Sequence, residues 1–154
     1  MDADRSAVEE VIYQSCMLLD EQDFSGFMKL CHPEFRYRLT AYSPEIKKEM
    51  TWLDRDWREM ESFFSMLPLH NSDHSPLTRN ATVYKVDFDE AREQARVVSA
   101  IQIYKTAVDG GATQLFAVGK YYDTVSLTGA TRTLLSRWVR LATRDLRWGY
   151  HIPF

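Results

Sequence analysis

The stretch from residue 81 to residue 107, ATVYKVDFDEAREQARVVSAIQIYKTA, decides the fold, because it contains two runs of alternating apolar and polar residues. The runs are Ala81–Asp89 and Ala95–Ala107, and Asp89-Glu90-Ala91-Arg92 lies between them with the composition of a tight turn. Alternation with a period of two places one face of a strand against a core and the other face in water. The stretch therefore predicts a β-hairpin.

Two further alternating runs follow, Thr113–Leu127 and Thr131–Arg144. Turn sequences precede each of them, Asp109-Gly110-Gly111 and Thr128-Gly129. We therefore expect four consecutive strands joined by short turns. Gly119 lies inside the third run, where we expect a bulge or a tight bend.

The first third of the chain has helical periodicity. Apolar positions recur at spacings of three and four along the first predicted helix, at Val8, Val11, Ile12, Ser15, Leu18 and Leu19. A short second helix begins at Asp23 or Ser25 and ends at His32-Pro33, and a third runs from Thr51, its cap, to Met66. Apolar and polar residues alternate over Phe35–Tyr42, which predicts a strand between the second and third helices. Helices followed by a run of strands are typical of an α+β domain.

Composition restricts the class of protein. The chain has 154 residues, a net charge of -3 and interspersed charges, which predicts a single domain (1–154) with no nucleic-acid or membrane partner. No apolar stretch reaches ~18 residues, and the acidic start is unlike a secretory signal, so we expect a cytoplasmic protein. Cys16 and Cys31 both lie in helix-like patterns and are predicted to be buried, reduced thiols.

Three residues in one polar connection could carry chemistry: His70, Asp73 and His74. Two imidazoles and a carboxylate within five positions could bind a metal ion or perform acid–base catalysis. Asn, Ser and Pro nearby favour a loop whose side chains cap the backbone or meet a partner. Both interpretations remain open.

Asp123 lies two positions after Tyr121 and shares its strand face. A carboxylate and a phenol in an apolar pocket could act as base and hydrogen-bond donor. The alternative is that Asp123 pairs with Arg137 on the next strand. The basic positions near the end predict a solvated face or an interface that uses Arg forks; they are Arg137, Arg140, Arg144 and Arg147.

Other recognised motifs are missing from the sequence. Cys31-His32 lacks the spacing of a Rieske iron–sulfur site, which needs two cysteines and two histidines on separate loops. There is no Gly-rich phosphate loop, nucleophile elbow or zinc-protease motif. The residues alone therefore predict architecture more clearly than activity.

Four segments carry a resemblance to a known family: Val8–Phe27, Phe35-Arg36-Tyr37, Asp73–Asn80 and the tail Arg144–Phe154. The chain resembles the nuclear transport factor two-like superfamily. Within it, the chain resembles the small (beta) subunits of Rieske non-haem iron aromatic-ring-hydroxylating dioxygenases. The tail and Asp73-His74-Ser75 are most similar to the alkanesulfonate (methanesulfonate) monooxygenase branch.

The resemblance implies a cone-shaped α+β fold with a curved antiparallel or mixed sheet and three N-terminal helices. It also implies a non-catalytic structural subunit of an oxygenase that hydroxylates an aromatic or sulfonated substrate. The Rieske 2Fe–2S cluster and the mononuclear iron would then belong to a large (alpha) subunit, and this chain would hold no cofactor. The expected assembly is a trimer alone or a three-plus-three hetero-hexamer.

On this interpretation the residues expected at the interface are Arg79, Trp148, Tyr150 and Phe154. The alternative function is a free-standing pocket enzyme of the isomerase or dehydratase type, with His70, Asp73 or Asp123 as the base. A small-ligand binding module with the same cavity is a further alternative. Both alternatives require an enclosed apolar pocket.

Overall fold

The computed structural model describes residues 2–70, 75–143 and 154. Three helices lie in the first half of the chain: α1 (Asp2–Asp20), α2 (Phe24–Leu30) and α3 (Trp57–His70). The six strands are β1 (Cys31–Ser43), β2 (Lys48–Asp56), β3 (Leu77–Phe88), β4 (Gln94–Thr106), β5 (Thr113–Ser126) and β6 (Thr133–Leu141).

All six strands form one sheet in the order β2-β1-β6-β5-β4-β3. Strands β3 to β6 are consecutive antiparallel neighbours, as predicted from the alternating runs and their turns. Strand β1 joins them by pairing parallel with β6, so the sheet is mixed. The sheet is curved and unclosed, which confirms the α+β, nuclear transport factor two-like fold.

The first two helices lie where the sequence predicts them, but the boundary between α2 and β1 differs from the prediction. Asp23 caps α2, and its carboxylate accepts a hydrogen bond from the Gly26 N–H at 2.9 Å. The helix ends at Leu30, before His32-Pro33. Cys31 is the C-cap and has extended angles (φ −80°, ψ 140°), so its placement in a helical pattern is wrong. Cys31 is instead the first residue of β1.

The predicted start of the third helix at Thr51 is also wrong. Residues 48–56 form β2, where Leu53 lies opposite Leu39 of β1. The helix begins at Trp57 because Asp56 and Glu59 form a reciprocal capping box. The Glu59 N–H donates to the Asp56 carboxylate at 2.8 Å, and the Asp56 N–H donates to the Glu59 carboxylate at 2.9 Å.

The sheet has a buried inner face and an uncovered outer face. Inner-face side chains of the strands join the apolar stripes of the helices in one core, whose members include Ile12, Phe27, Met60, Ile101 and Val139. Alternate residues point to the outer face, and most of them are exposed or half-buried. The inner face therefore supplies stability, while the outer face is available for contact.

Helix α1 protects the β3 edge of the sheet. The Asp20 carboxylate accepts a hydrogen bond from the Arg79 main-chain N–H at 3.1 Å, and the Tyr13 hydroxyl accepts one from the Val83 N–H at 3.2 Å. These donors would otherwise be free to pair with another strand. The edge is thus partly capped by side chains of the same chain.

Gly119 permits a close approach between strands and does not form the expected bulge. The register runs through it, with Ile101 on one side and Leu141 on the other. A Cβ atom built on Gly119 would lie 2.8 Å from the Leu141 Cα and closer still to the Arg140 carbonyl oxygen. Only glycine fits there without a backbone shift.

We therefore expect Gly119→Ala to lower the free energy of unfolding by about 1–3 kcal/mol, the usual cost of overpacking. Chemical denaturation measures this quantity. Gly111→Ala is the control, because a Cβ there meets only the flexible Asp109 side chain, at 3.1 Å from its nearest oxygen. Equal effects of the two substitutions would contradict the close approach.

Candidate functional site

A bidentate ion pair lies inside the core. Arg137 Nε donates to one Asp123 carboxylate oxygen at 2.9 Å, and Arg137 Nη2 donates to the other at 3.0 Å. The two residues are directly opposite each other on β6 and β5, and both side chains are 0% exposed. The predicted pairing is confirmed. The predicted solvated face is wrong for Arg137, because this residue lies on the inner face of the sheet beside Val139 and Leu141.

Neighbouring groups fix the Arg137 guanidinium in place. Arg137 Nη2 also donates to the Ser15 hydroxyl at 2.8 Å, and Ser15 in turn donates to the Ile12 carbonyl at 2.6 Å. The Arg137 Cζ atom lies 3.8 Å from the centroid of the Tyr121 ring, which is a cation–π contact. The pair therefore joins α1, β5 and β6.

Burial and charge act in opposite directions on this pair. Burial raises the pKa of Asp123 above its ordinary value, and the charge and hydrogen bonds of Arg137 oppose that rise. Burial also disfavours the charge of Arg137, but the Asp123 carboxylate outweighs it and raises the pKa of Arg137, so the guanidinium stays protonated. A reactant could use Asp123 as a base only by displacing Arg137.

Phe154 lies in the same part of the core. Its main-chain N–H donates to the Tyr37 hydroxyl at 2.9 Å, and the Tyr121 hydroxyl donates to its main-chain oxygen. Its ring centroid is 6.0 Å from that of Phe116. Phe154 is therefore buried by contacts within the chain.

Arg79, the other described interface candidate, is also buried. Its guanidinium pairs with Asp20 at 2.9 Å, and its side chain is 1% exposed. Whether Arg79 or Phe154 contacts a partner stays a prediction. Trp148 and Tyr150 lie outside the described residues, as do Arg144 and Arg147.

Most of the polar connection that contains His70, Asp73 and His74 lies outside the described residues. His70 is the last residue of α3, and its side chain is outside the described part, as are Asp73 and His74. Within residues 2–70 and 75–143, no group of three His, Cys, Asp or Glu side chains could hold a metal ion. A catalytic or metal role for this connection stays a prediction.

Cys16 and Cys31 are both buried free cysteines, as predicted. Burial raises the pKa of both thiols, so neither is an activated nucleophile. Their role is packing.

A groove of about 400 Å³ lies between α2 and α3. Phe24 stacks on Phe64 in its wall with ring centroids 4.4 Å apart, and Trp57 Nε1 donates to the Met28 carbonyl at 3.1 Å. Asp123, buried in the core, is not among the residues that line this groove. The groove and the candidate base are therefore separate features.

The outer face of the sheet carries a cluster of Arg38, Tyr122 and Trp138, which we call the Trp138 cluster. The Tyr122 and Trp138 ring centroids are 5.2 Å apart, and Arg38 Cζ lies 4.3 Å from the Trp138 ring centroid. Trp138 Nε1 donates to the Thr40 hydroxyl at 2.8 Å, which fixes the indole. Sequence reasoning missed this cluster, although its members alternate with inner-face residues in the same runs.

The sequence of one known protein is similar to nearly the whole of this chain. The beta subunit of the methanesulfonate monooxygenase hydroxylase of Methylosulfonomonas methylovora is 40% identical over 154 residues, covering 96% of this chain and 85% of the relative. The chain belongs to the family of ring-hydroxylating oxygenase beta subunits. The predicted family is thus confirmed.

A second beta subunit is similar to this chain in sequence, and solved structures are similar to it in fold. The beta subunit of 2-aminobenzenesulfonate 2,3-dioxygenase from Alcaligenes sp. is 29% identical over 150 residues, covering 97% of this chain and 99% of that one. A chain of naphthalene 1,2-dioxygenase superposes with a TM-score of 0.74 at 18% identity, covering 93% of this chain and 80% of that one, which shows the fold alone. No protein-family model matches the sequence. None of the described helices is long and apolar enough to cross a membrane.

The buried ion pair gives a stability prediction. Arg137→Met leaves the Asp123 carboxylate buried without its partner, so we expect the free energy of unfolding to fall by about 3–5 kcal/mol. Asp123→Leu combined with Arg137→Met should recover most of that loss. Arg36→Met, which breaks an exposed pair with Asp54, is the control and should cost less than about 1 kcal/mol. A double variant as unstable as Arg137→Met would contradict this account.

The buried tyrosines give a pH prediction. Burial raises the pKa of Tyr37 and Tyr121 above the ordinary value of 10.0, so the folded chain keeps protons that the unfolded chain releases. Their stabilising contribution is fully present below that pH and is lost as pH rises above it, by about 1.4 kcal/mol per pH unit for each tyrosine.

Urea denaturation at a series of alkaline pH values measures this slope. Tyr121→Phe should reduce the slope, and Tyr84→Phe, at a tyrosine that is 61% exposed in the folded chain, is the matched control. An unchanged slope for Tyr121→Phe would show that this phenol does not contribute to the alkaline loss.

Proposed function

We propose that this chain is a non-catalytic small subunit of a multicomponent Rieske non-haem iron oxygenase, in which it supports assembly of the catalytic large subunit. The 40% identity to a hydroxylase beta subunit over nearly the whole chain carries this proposal. The whole chain, residues 1–154, acts as one domain of that complex.

The substrate class follows from the two relatives. One is named for methanesulfonate and the other for 2-aminobenzenesulfonate. We propose that the complex hydroxylates an aromatic or sulfonated substrate, and that the large subunit determines which one.

The state of Asp123 supports a non-catalytic role. A general base must reach the proton that it removes, directly or through one water. Both oxygens of Asp123 instead accept hydrogen bonds from Arg137, in a core where both side chains are fully buried. Using this carboxylate as a base would break the pair and leave a charge buried without a partner, at a cost of several kcal/mol.

The cofactors of the proposed complex belong to the large subunit. A Rieske cluster needs two Cys and two His ligands on separate loops, whereas Cys16 and Cys31 here are buried, one on α1 and the other at the junction of α2 and β1. We propose that the Rieske 2Fe–2S cluster and the mononuclear iron lie in the large subunit, with three copies of each chain in the complex.

Co-expression tests the proposal. The large subunit to use is the product of the neighbouring reading frame, if that frame encodes the C-x-H…C-x-x-H spacing of a Rieske protein. We expect a stable complex that contains iron and turns over substrate, and an isolated small subunit that has neither property. Size-exclusion chromatography with light scattering, iron analysis and an oxygen-consumption assay measure the outcomes.

Two results would contradict the proposal. The first is that the purified chain binds no such large subunit. The second is that the isolated chain converts a substrate by itself, which would favour a free-standing pocket enzyme. Three-plus-three stoichiometry is tested separately by the mass of the complex.

A further inference from the structure

Phe154 lies in the core without belonging to a helix or a strand. It is 2% exposed, and every other buried apolar residue of the described core lies in one of the helices or strands given above. The main-chain groups of a buried residue outside these elements must find their hydrogen-bond partners elsewhere. Phe154 is therefore held in the core by individual contacts, as a bound molecule would be.

Two tyrosines bind the main chain of Phe154. The Tyr37 hydroxyl accepts a hydrogen bond from the Phe154 N–H at 2.9 Å, and the Tyr121 hydroxyl donates one to the Phe154 main-chain oxygen. Within residues 2–70, 75–143 and 154, neither hydroxyl has another hydrogen-bond partner. Since a buried hydroxyl without a partner is costly, this pair favours an occupant that offers one N–H and one carbonyl.

The sheet and the core position both tyrosines without help from Phe154. Tyr37 and Tyr121 lie on β1 and β5, on either side of β6, and both are 0% exposed. The Arg137 Cζ atom lies 3.8 Å from the centroid of the Tyr121 ring, and the ring centroids of Phe35 and Tyr37 are 6.5 Å apart. We therefore expect the two hydroxyls to stay in position when Phe154 is removed.

The contacts of Phe154 define the chemistry of an occupant. The N–H and the carbonyl that the tyrosines bind flank one Cα atom, and this atom carries a benzyl group. The benzyl ring packs against Phe116, with ring centroids 6.0 Å apart and an angle of 54° between the ring planes. A molecule with the same three features is an aromatic amino acid that is acylated on its nitrogen.

We propose that Tyr37, Tyr121 and Phe116 form a binding site for an N-acylated aromatic amino acid, and that Phe154 occupies this site as an internal ligand. The site goes beyond the proposed function and does not depend on it. While Phe154 is bound, the site is closed to other ligands. When Phe154 is absent, a free molecule of this class should bind in its place.

Isothermal titration calorimetry on the isolated chain tests the site, with N-acetyl-L-phenylalaninamide as the probe. The wild type should show no saturable binding. A variant from which Phe154 is deleted should bind this probe at least about tenfold more tightly than N-acetyl-D-phenylalaninamide or N-acetyl-L-alaninamide. The D enantiomer misplaces the polar groups relative to the ring, and the alanine compound has no ring.

The phenol hydroxyls should contribute directly to this binding. In the variant that lacks Phe154, we expect Tyr37→Phe or Tyr121→Phe to raise the dissociation constant about two- to tenfold, since each removes one hydrogen bond to the probe. Tyr84→Phe changes an exposed tyrosine on β3 and is the control. It should leave the dissociation constant unchanged.

A second variant, Phe154→Ala, removes the ring and keeps the main chain at this position. Toluene should raise the unfolding midpoint of Phe154→Ala, because it refills an enclosed apolar space. Phe24→Ala is the matched control, since it removes a half-buried ring from the wall of the groove between α2 and α3. Toluene should leave the midpoint of this control unchanged.

Each other outcome overturns the proposal. If the wild type binds the L probe as tightly as the deletion variant does, Phe154 does not occupy the site. If the folded deletion variant binds no probe, or binds both enantiomers equally, the tyrosines do not form a ligand site. If neither variant folds, Phe154 is an indispensable part of the core, and if only Phe154→Ala folds, a midpoint that toluene leaves unchanged has the same meaning. None of these results involves the large subunit, so the proposed function is tested separately.

Discussion

The structure depends on the buried ion pair between Asp123 and Arg137. Two charged groups in an apolar core are tolerated when each neutralises the other and most of their polar atoms find partners; among the described residues, Arg137 Nη1 is the one polar atom of this pair that is buried without a hydrogen bond. Here the pair is bidentate, and Ser15 and the Tyr121 ring contact the guanidinium. The pair therefore fixes α1 against β5 and β6. Because β6 also pairs with β1, these strands join β1 and β2 to β3 and β4 in one sheet.

The two faces of the sheet have separate roles in this account. The inner face is filled by the helices, by the ion pair and by Phe154, whose main chain is bound by Tyr37 and Tyr121. The outer face carries the Trp138 cluster and exposed cations. A pocket enzyme would use the inner face for chemistry, whereas a subunit that supports assembly uses the outer face for contact.

Alternation predicted β3 to β6 and the Asp123–Arg137 pair, because period two places residues 121 and 123 on one face and turn residues limit the register. Alternation could not predict β2, because charged and apolar residues do not alternate strictly along that strand. The Asp56–Glu59 capping box was a usable signal for the true start of α3. Burial of Arg137 was harder to predict, since it depends on Ser15, far away in sequence but adjacent in the core. Likewise, nothing local to Arg38 predicts its contact with Trp138.

The central claim is that the Asp123–Arg137 pair in the core of this chain is structural and takes no part in the reaction of the proposed complex. The most direct test is the turnover per iron of an oxygenase assembled with the Asp123→Leu/Arg137→Met double variant. The account predicts wild-type turnover per iron in whatever complex forms, because neither side chain takes part in the reaction. A fully assembled, iron-loaded complex that has lost turnover would contradict it.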